Sequence, residues 1–563
     1  MKQQQPRKVL KRLYKDISHD TYYGKVMRPD AIDYNGQPIS VYYADPRAVL
    51  RWLSEECELF GHYLEKVIGL QPNAIVYMDA CMPGNALRPD EGRKFEAVYW
   101  QFLECPEHMR KRVAAWFPFM YVSTADMKET GCSDSTVIRF LAHKMFLDAR
   151  LHEVGFHFLA GGVQKRMTID YGGWLADDLC VWSVGSCKGP SSRKPCPCCK
   201  NVLGRIPVEA LVGHPYAVHV SSADASRFIS TSAADYAQMC DMIEHLYTTN
   251  ASNAEKEDLE VSCGIKYDPH EAMFDRDVRS LLQFPEKVFW DWQHNLVSSG
   301  GVAQYVCNEM ARQVVDSGIA SLQQIDLFAR TITFPIDQPS LGKNFFQDRV
   351  KLEAGKHMKA FASETLTTVS VLGLFADEVL GPANALGPYV ELLSHMRTVI
   401  DLLKLGDEVA MPSRLDLLDR EMAALHRQMV ALIPECIKLK PHLMRHIIGS
   451  IRKYGALWSC FAPERKHRLG KAVANTNFRN PYKSMLAHDI YDLRLTFQDP
   501  DIYAPTALLK ECRLDGLEDF FKHVINVQSV FGARKVRTPK GTFSVKDVLA
   551  FRDNGNMYVA KEG

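Results

Sequence analysis

Residues 74–85 read AIVYMDACMPGN. The apolar run, rich in β-formers, predicts a strand over Ala74–Ala80 that carries one carboxylate, Asp79, near its end. Pro83, Gly84 and Asn85 then spell a tight turn. In an α/β protein, strand, acid and turn in this order present a carboxylate at a sheet edge, with open backbone beside it for a metal or a phosphate. The plainer alternative is a buried strand that closes on a turn-forming Asp.

Working outward, two further strands are expected at Phe95–Leu103 and Trp116–Val122. A helix follows over Ser133–Arg150, in which Ile138, Leu141 and Met145 share one face. A fourth strand, Met167–Trp174, runs into Asp177 and Asp178, a second place from which a carboxylate points toward the first. A solvent-facing polar turn accounts for that pair equally well. Three strands and a helix, with an acid closing the first strand, is the opening order of a ribonuclease H-like fold.

At 563 residues the chain has room for two to four domains, or for one core with a large insertion. Its 46% apolar and 24% charged content is that of an ordinary globular protein. No run of about eighteen uncharged apolar residues occurs, so no membrane helix is expected. The first residues are basic and lack the apolar centre of a secretory signal. The 15 cysteines show no regular framework, which suits a reducing compartment with thiols buried or bound to metal. A net charge of +1 confines any nucleic-acid contact to local patches. Residues 1–15, Arg465–Lys483 and Arg534–Lys546 are basic without a single acid, and leave room for a polyanionic partner.

Cys196 and Cys199 form a C-x2-C pair, followed by His214 and His219 spaced H-x4-H. Two thiolates on a knuckle plus two imidazoles suit tetrahedral zinc, with Cys187 or Cys198 as substitute ligands. Further on, Asp291 and His294 form a D-x2-H flanked by Trp290 and Trp292. On one helical face the two can hydrogen-bond or share a metal; a helix-start Asp with a packed His is the plain alternative. From Gly301 to Tyr454 the pattern is helical. Leu392, Met396, Val399 and Leu403 form one stripe, and Leu415, Leu418, Met422, Leu425, Met429 and Leu432 another. The second resembles a heptad seam, better suited to packing inside a bundle, with a homo-oligomeric contact left open. Pro463 fits a first helical position and puts Glu464 in the first turn.

In this order the motifs resemble transposases of the CACTA (En/Spm-like) group and the related KDZ-type elements. The resemblance spans about residues 70–490 and is closest at Asp177–Val202, Gly264–Gly301 and Cys460–Ser484. It implies an α/β, ribonuclease H-like core interrupted by a large, mainly α-helical insertion. The implied division is a basic arm and helical segment (1–70), the first part of the core with the knuckle (71–220), the insertion (221–455), the last core helix (456–490) and a C-terminal region (491–563). The implied activity is DNA transposition by a carboxylate triad of Asp79, Asp177 or Asp178, and Glu464, holding two Mg²⁺ or Mn²⁺ ions about 3.5–4 Å apart. Asp291 and His294 are auxiliary in that scheme, Cys196 and Cys199 carry the knuckle, and Arg465, Lys466, Arg468 and Lys471 neutralise backbone phosphates. The expected partner is DNA, both transposon ends and target, and the expected place is the nucleus. A nuclease that cuts without joining, and an inactive DNA-binding scaffold, are the rival readings.

Overall fold

A continuous apolar strand is stable only where both of its faces are covered. Ala74–Met78 are all fully buried, and around them the chain builds one mixed sheet of seven strands. These are β1 (Met27–Tyr34), β2 (Gln37–Ala44), β3 (Asn73–Cys81), β4 (Phe95–Phe102), β5 (Phe117–Ser123), β6 (Asp170–Ala176) and β7 (Val288–Trp290). Their order across the sheet is β7-β6-β3-β4-β5-β2-β1. From β3 outward, β4, β5, β2 and β1 pair antiparallel in turn. On the other side, β6 lies parallel to β3 and β7 parallel to β6.

The computed structural model describes residues 20–85, 88–89, 91–334, 340–477 and 479–503, and the backbone of strands 507–513, 531–538, 541–544, 549–553 and 556–560. The basic stretch 1–15 and the side chains of Arg534–Lys546 lie outside the described residues.

The three strands expected after residue 70 form within a residue or two of their predicted bounds. The fourth is displaced: β6 begins at Asp170, and Met167 instead closes an antiparallel hairpin of Phe156–Ala160 and Val163–Met167. The β6 backbone runs tight against its neighbours, since a Cβ at Gly173 would lie 2.4 Å from the Phe289 ring. The segment before residue 45, expected to be an arm, supplies the β1–β2 hairpin at the far edge of the sheet. The helical segment expected at Pro46–Leu70 forms as Pro46–Glu56, Glu58–Tyr63 and Leu64–Ile68.

Helices cover the sheet. Ser133 caps α1 (Asp134–Ala142) by accepting from the Thr136 N–H, and Ile138, Leu141 and Met145 are buried as the spacing predicts. Asp177 caps α2 (Asp178–Val184) in the same way. Later come α3 (Gly387–Lys404), α4 (Pro412–Leu432), α5 (Lys440–Tyr454), α6 (Phe461–Thr476) and α7 (Pro481–Gln498). Helices α3 and α4 pack on each other, and the apolar stripes of both, Leu432 excepted, are buried within the chain. Helix α5 packs against β7, α6 against β3, and α7 against β5 and β2. No described helix is long and apolar enough to cross a membrane.

Candidate functional site

Parallel strands bring their C-terminal ends to one edge of a sheet, where open crevices form. Here the register does more. Tyr77 of β3 pairs with Leu175 of β6, and Leu175 pairs with Phe289 of β7. Two positions beyond these partners stand Asp79, still on β3, and Asp177 and Asp291, each the first residue past its strand. Glu464 joins them from the first turn of α6, where the helix N-terminus favours negative charge. That helix starts at Phe461, so Pro463 is its third residue and not its first. The missing N–H still falls among donors that a helix leaves unused.

His294 joins two of these acids. Its Nδ1 lies 2.7 Å from Asp291 Oδ2 and its Nε2 lies 2.8 Å from Glu464 Oε1. Gln293 Nε2 donates to the other oxygen of Glu464 at 2.5 Å. Asp291, 1% exposed, is held in turn by the backbone N–H groups of Cys460 and His294, each at 2.9 Å. Burial opposes a charge on His294, but the carboxylates on either side outweigh it and hold the imidazolium well above the usual histidine range. His294 of the D-x2-H motif and Gln293 between its two members therefore hold Glu464 at one oxygen each.

The acids crowd one another. Burial first, then the negative charges of Asp177 and Glu464, push the Asp79 carboxyl up to about 7, with His294 opposing. Asp178 is pushed up to about 6 by burial, with Lys440 and His294 pulling it down and Asp177 and Asp291 pushing it up. The adjacent pair thus divides. Asp177 acts on Asp79, while its Oδ1 accepts from the Cys180 N–H at 2.7 Å. Asp178, 7% exposed, takes Asn295 Nδ2 at 3.4 Å and faces Lys440 Nζ at 3.9 Å. On the far side of Asp79, Tyr77 donates its hydroxyl at 3.1 Å and His467 Nδ1 stands 3.9 Å away. Burial and the charges of Lys471 and Lys466 push His467 down to about 3, so it is neutral there. Carboxylates that repel one another at a sheet edge can hold hard divalent cations, which relieve that repulsion.

A second cluster lies nearby. Cys196 Sγ is 3.3 Å from His446 Nε2, Cys199 Sγ is 3.6 Å from the Nε2 of both His442 and His446, and the two Nε2 atoms are 3.2 Å apart. These four side chains could hold a metal ion. Bonds of about 2.3 Å to sulfur and 2.0–2.1 Å to nitrogen at tetrahedral angles place ligand atoms roughly 3.3–3.8 Å apart, close to what is found. His442 and His446 are one turn apart on α5 and replace the expected pair. His214 is exposed and its Nδ1 accepts from the Tyr216 and Ala217 N–H groups; His219 Nδ1 contacts Ser221 Oγ at 2.7 Å. Both of those histidines close local turns. Cys198 accepts from Trp290 Nε1 at 3.3 Å and Cys187 contacts the Tyr236 hydroxyl, so neither joins the four.

No protein family and no curated protein matches this chain.

Of the four cations expected at a phosphate, Arg465 and Arg468 are exposed on α6 and Lys471 is half-buried. Lys466 departs from the expectation. It is fully buried, 3.6 Å from Asp489 and over the Tyr99 ring, with no route to a phosphate. Lys466→Met is expected to destabilise the fold by about 3–5 kcal/mol in urea unfolding, because it strands Asp489. Arg468→Ala, at an exposed position, should leave stability unchanged. Sequence reading also missed Gln293, Asn295, Lys440 and His467. Only His442 and His446 carried a signal, an i, i+4 histidine pair on an amphipathic helix.

Proposed function

We propose that this protein is a DNA-acting, metal-dependent polynucleotidyl transferase: a DNA transposase or a derivative of one, with Asp79, Asp177 and Glu464 as its triad. One observation carries the reading: Asp79 on β3, Asp177 just past β6 and Glu464 in the first turn of α6 stand at the same end of the sheet, and the charges of the last two raise the Asp79 carboxyl. The antiparallel β3–β5 and the parallel β6 and β7 favour a ribonuclease H-like core as the finer description of the sheet.

Divalent Mg²⁺ or Mn²⁺ bound by the triad would supply Lewis acidity to the attacking and leaving oxygens. The chain's own groups divide the remaining work. His294 and Gln293 fix the Glu464 carboxylate, as supporting groups around metal ligands do. Neutral His467 adds no charge beside Asp79. Lys440 balances Asp178 and keeps that acid out of the triad. Arg465 and Arg468 stand exposed where a strand backbone would run. The Cys196, Cys199, His442 and His446 set is read as a structural zinc site, since soft thiolates with imidazoles and no open position suit zinc.

The test is nicking of supercoiled plasmid by the full chain in Mn²⁺ or Mg²⁺, with EDTA as control. Nicking that Glu464→Gln abolishes supports the reading, and joining of a 3′-hydroxyl strand to a second duplex identifies a transposase. Cutting without joining leaves a nuclease. Binding without either reaction overturns the enzymatic reading in favour of an inactive scaffold.

A further inference from the structure

A pocket of about 730 Å³ counts Asp177, Asp178 and His294 among its lining residues. Its walls are different in kind. Leu179, Pro190, Pro195, Val220 and Leu439 make them largely apolar, and Leu179, on the first turn of α2, is 66% exposed although it follows two carboxylates. Arg205 and Lys438 stand exposed at the rim, and neither has an ion-pair partner among the described residues. Acids, apolar walls and exposed cations in one lining are three features that a single nucleotide matches. Its base takes the slot and its flanking phosphates take the cations. The volume is ample for one base and sugar.

We propose that this pocket receives an unstacked nucleotide of the DNA strand, next to the phosphate held at the acids. The proposal rests on the polynucleotidyl transferase reading and names the part of the substrate that this site grips. Pulling a base from its stack costs a few kcal/mol, which the apolar walls offset, and the step selects frayed, mismatched or already single-stranded ends. Leu179 is then a specificity-determining contact.

The probes are the four deoxynucleoside 5′-monophosphates and single-stranded (dT)₅, observed by saturation-transfer NMR and titration with Ca²⁺ present. Base protons of at least one mononucleotide are expected to receive saturation from the wild type. Leu179→Glu should reduce that signal roughly fivefold or more with an unchanged unfolding midpoint, since this side chain is largely exposed. The pentamer should bind roughly tenfold tighter than the best mononucleotide, and Arg205→Ala with Lys438→Ala should remove that gain alone. No transfer to any base, or transfer that Leu179→Glu leaves intact, overturns the pocket. A pentamer no tighter than a mononucleotide overturns the strand assignment and leaves a free-nucleotide site. Base binding without plasmid nicking defeats the proposed activity and spares the pocket; nicking without base binding does the opposite.

Discussion

On the proposed activity, Asp79→Asn is expected to lower metal-dependent strand cleavage by about 10³-fold or more and to leave the protein folded. Asparagine keeps the size of the side chain and the hydrogen bond from Tyr77, yet it removes the charge that a divalent ion needs. A loss of this size corresponds to several kcal/mol of transition-state stabilisation. The same variant carries a second signature, in metal-free buffer. Burial and its acidic neighbours raise the folded Asp79 carboxyl to about 7, so the folded state holds a proton that the unfolded chain releases near the usual carboxylate pKa. The stability that this proton confers is complete below about pH 4 and is lost as pH rises through about 7. Asp79→Asn, neutral throughout, should therefore unfold like the wild type at low pH and at a higher temperature than it above pH 7. Divalent cation should close that gap by stabilising the ionised wild-type cluster. Differential scanning calorimetry at pH 5 and pH 8, with and without Mg²⁺, reads both effects. An unchanged difference between the two pH values would mean that the acids do not crowd one another, and the triad would lose its support.

Cys196→Ser and His442→Ala are each expected to remove a bound zinc and to lower the unfolding midpoint by roughly 10 °C or more. The cluster pins the knuckle to α5 across 243 residues of chain, so it closes a very long loop. It also sets the start of α5, where Lys440 donates to the His294 carbonyl at 2.7 Å and to the Ser299 carbonyl at 3.1 Å while facing Asp178. Loss of zinc should thus weaken cleavage as well as stability, through His294 and its hold on Glu464. His214→Ala and His219→Ala should keep the zinc. Elemental analysis of protein purified without chelator decides the matter: an empty wild type, or zinc that survives Cys196→Ser, would refute the centre.

What the chain reveals before folding depends on how far its determinants reach. β3 was legible because a strand covered on both faces must be apolar throughout, and Ala74–Met78 are. The buried stripe of α4 was legible because helical burial repeats every three or four residues. β7 was not, for three residues carry no period and its partner β6 comes more than a hundred residues earlier. The β1–β2 hairpin hid behind an exposed, largely polar strand at the sheet edge. The histidine partners of Cys196 and Cys199 were misread because sequence proximity favoured His214 and His219, whereas α5 folds back from far downstream. Lys466 was misread by charge. Pro463, Lys466, His467, Gly470 and Ala474 form the buried face of α6 at helical spacing, and that period placed Lys466 inward despite its ammonium group.

The arrangement of α6 also fixes when the acid cluster can exist. Cys81, two residues past Asp79, touches the carbonyl of His467 across 386 residues of chain. On a ribosome adding roughly 5–20 residues per second, β3 and β6 emerge tens of seconds before Glu464 does. During that interval the proposed triad lacks Glu464, and His294 has only Asp291 as a carboxylate partner. For the proposed activity, synthesis order thus works as a safety catch: a chain still being made, or one broken off ahead of α6, lacks Glu464 and should not cut.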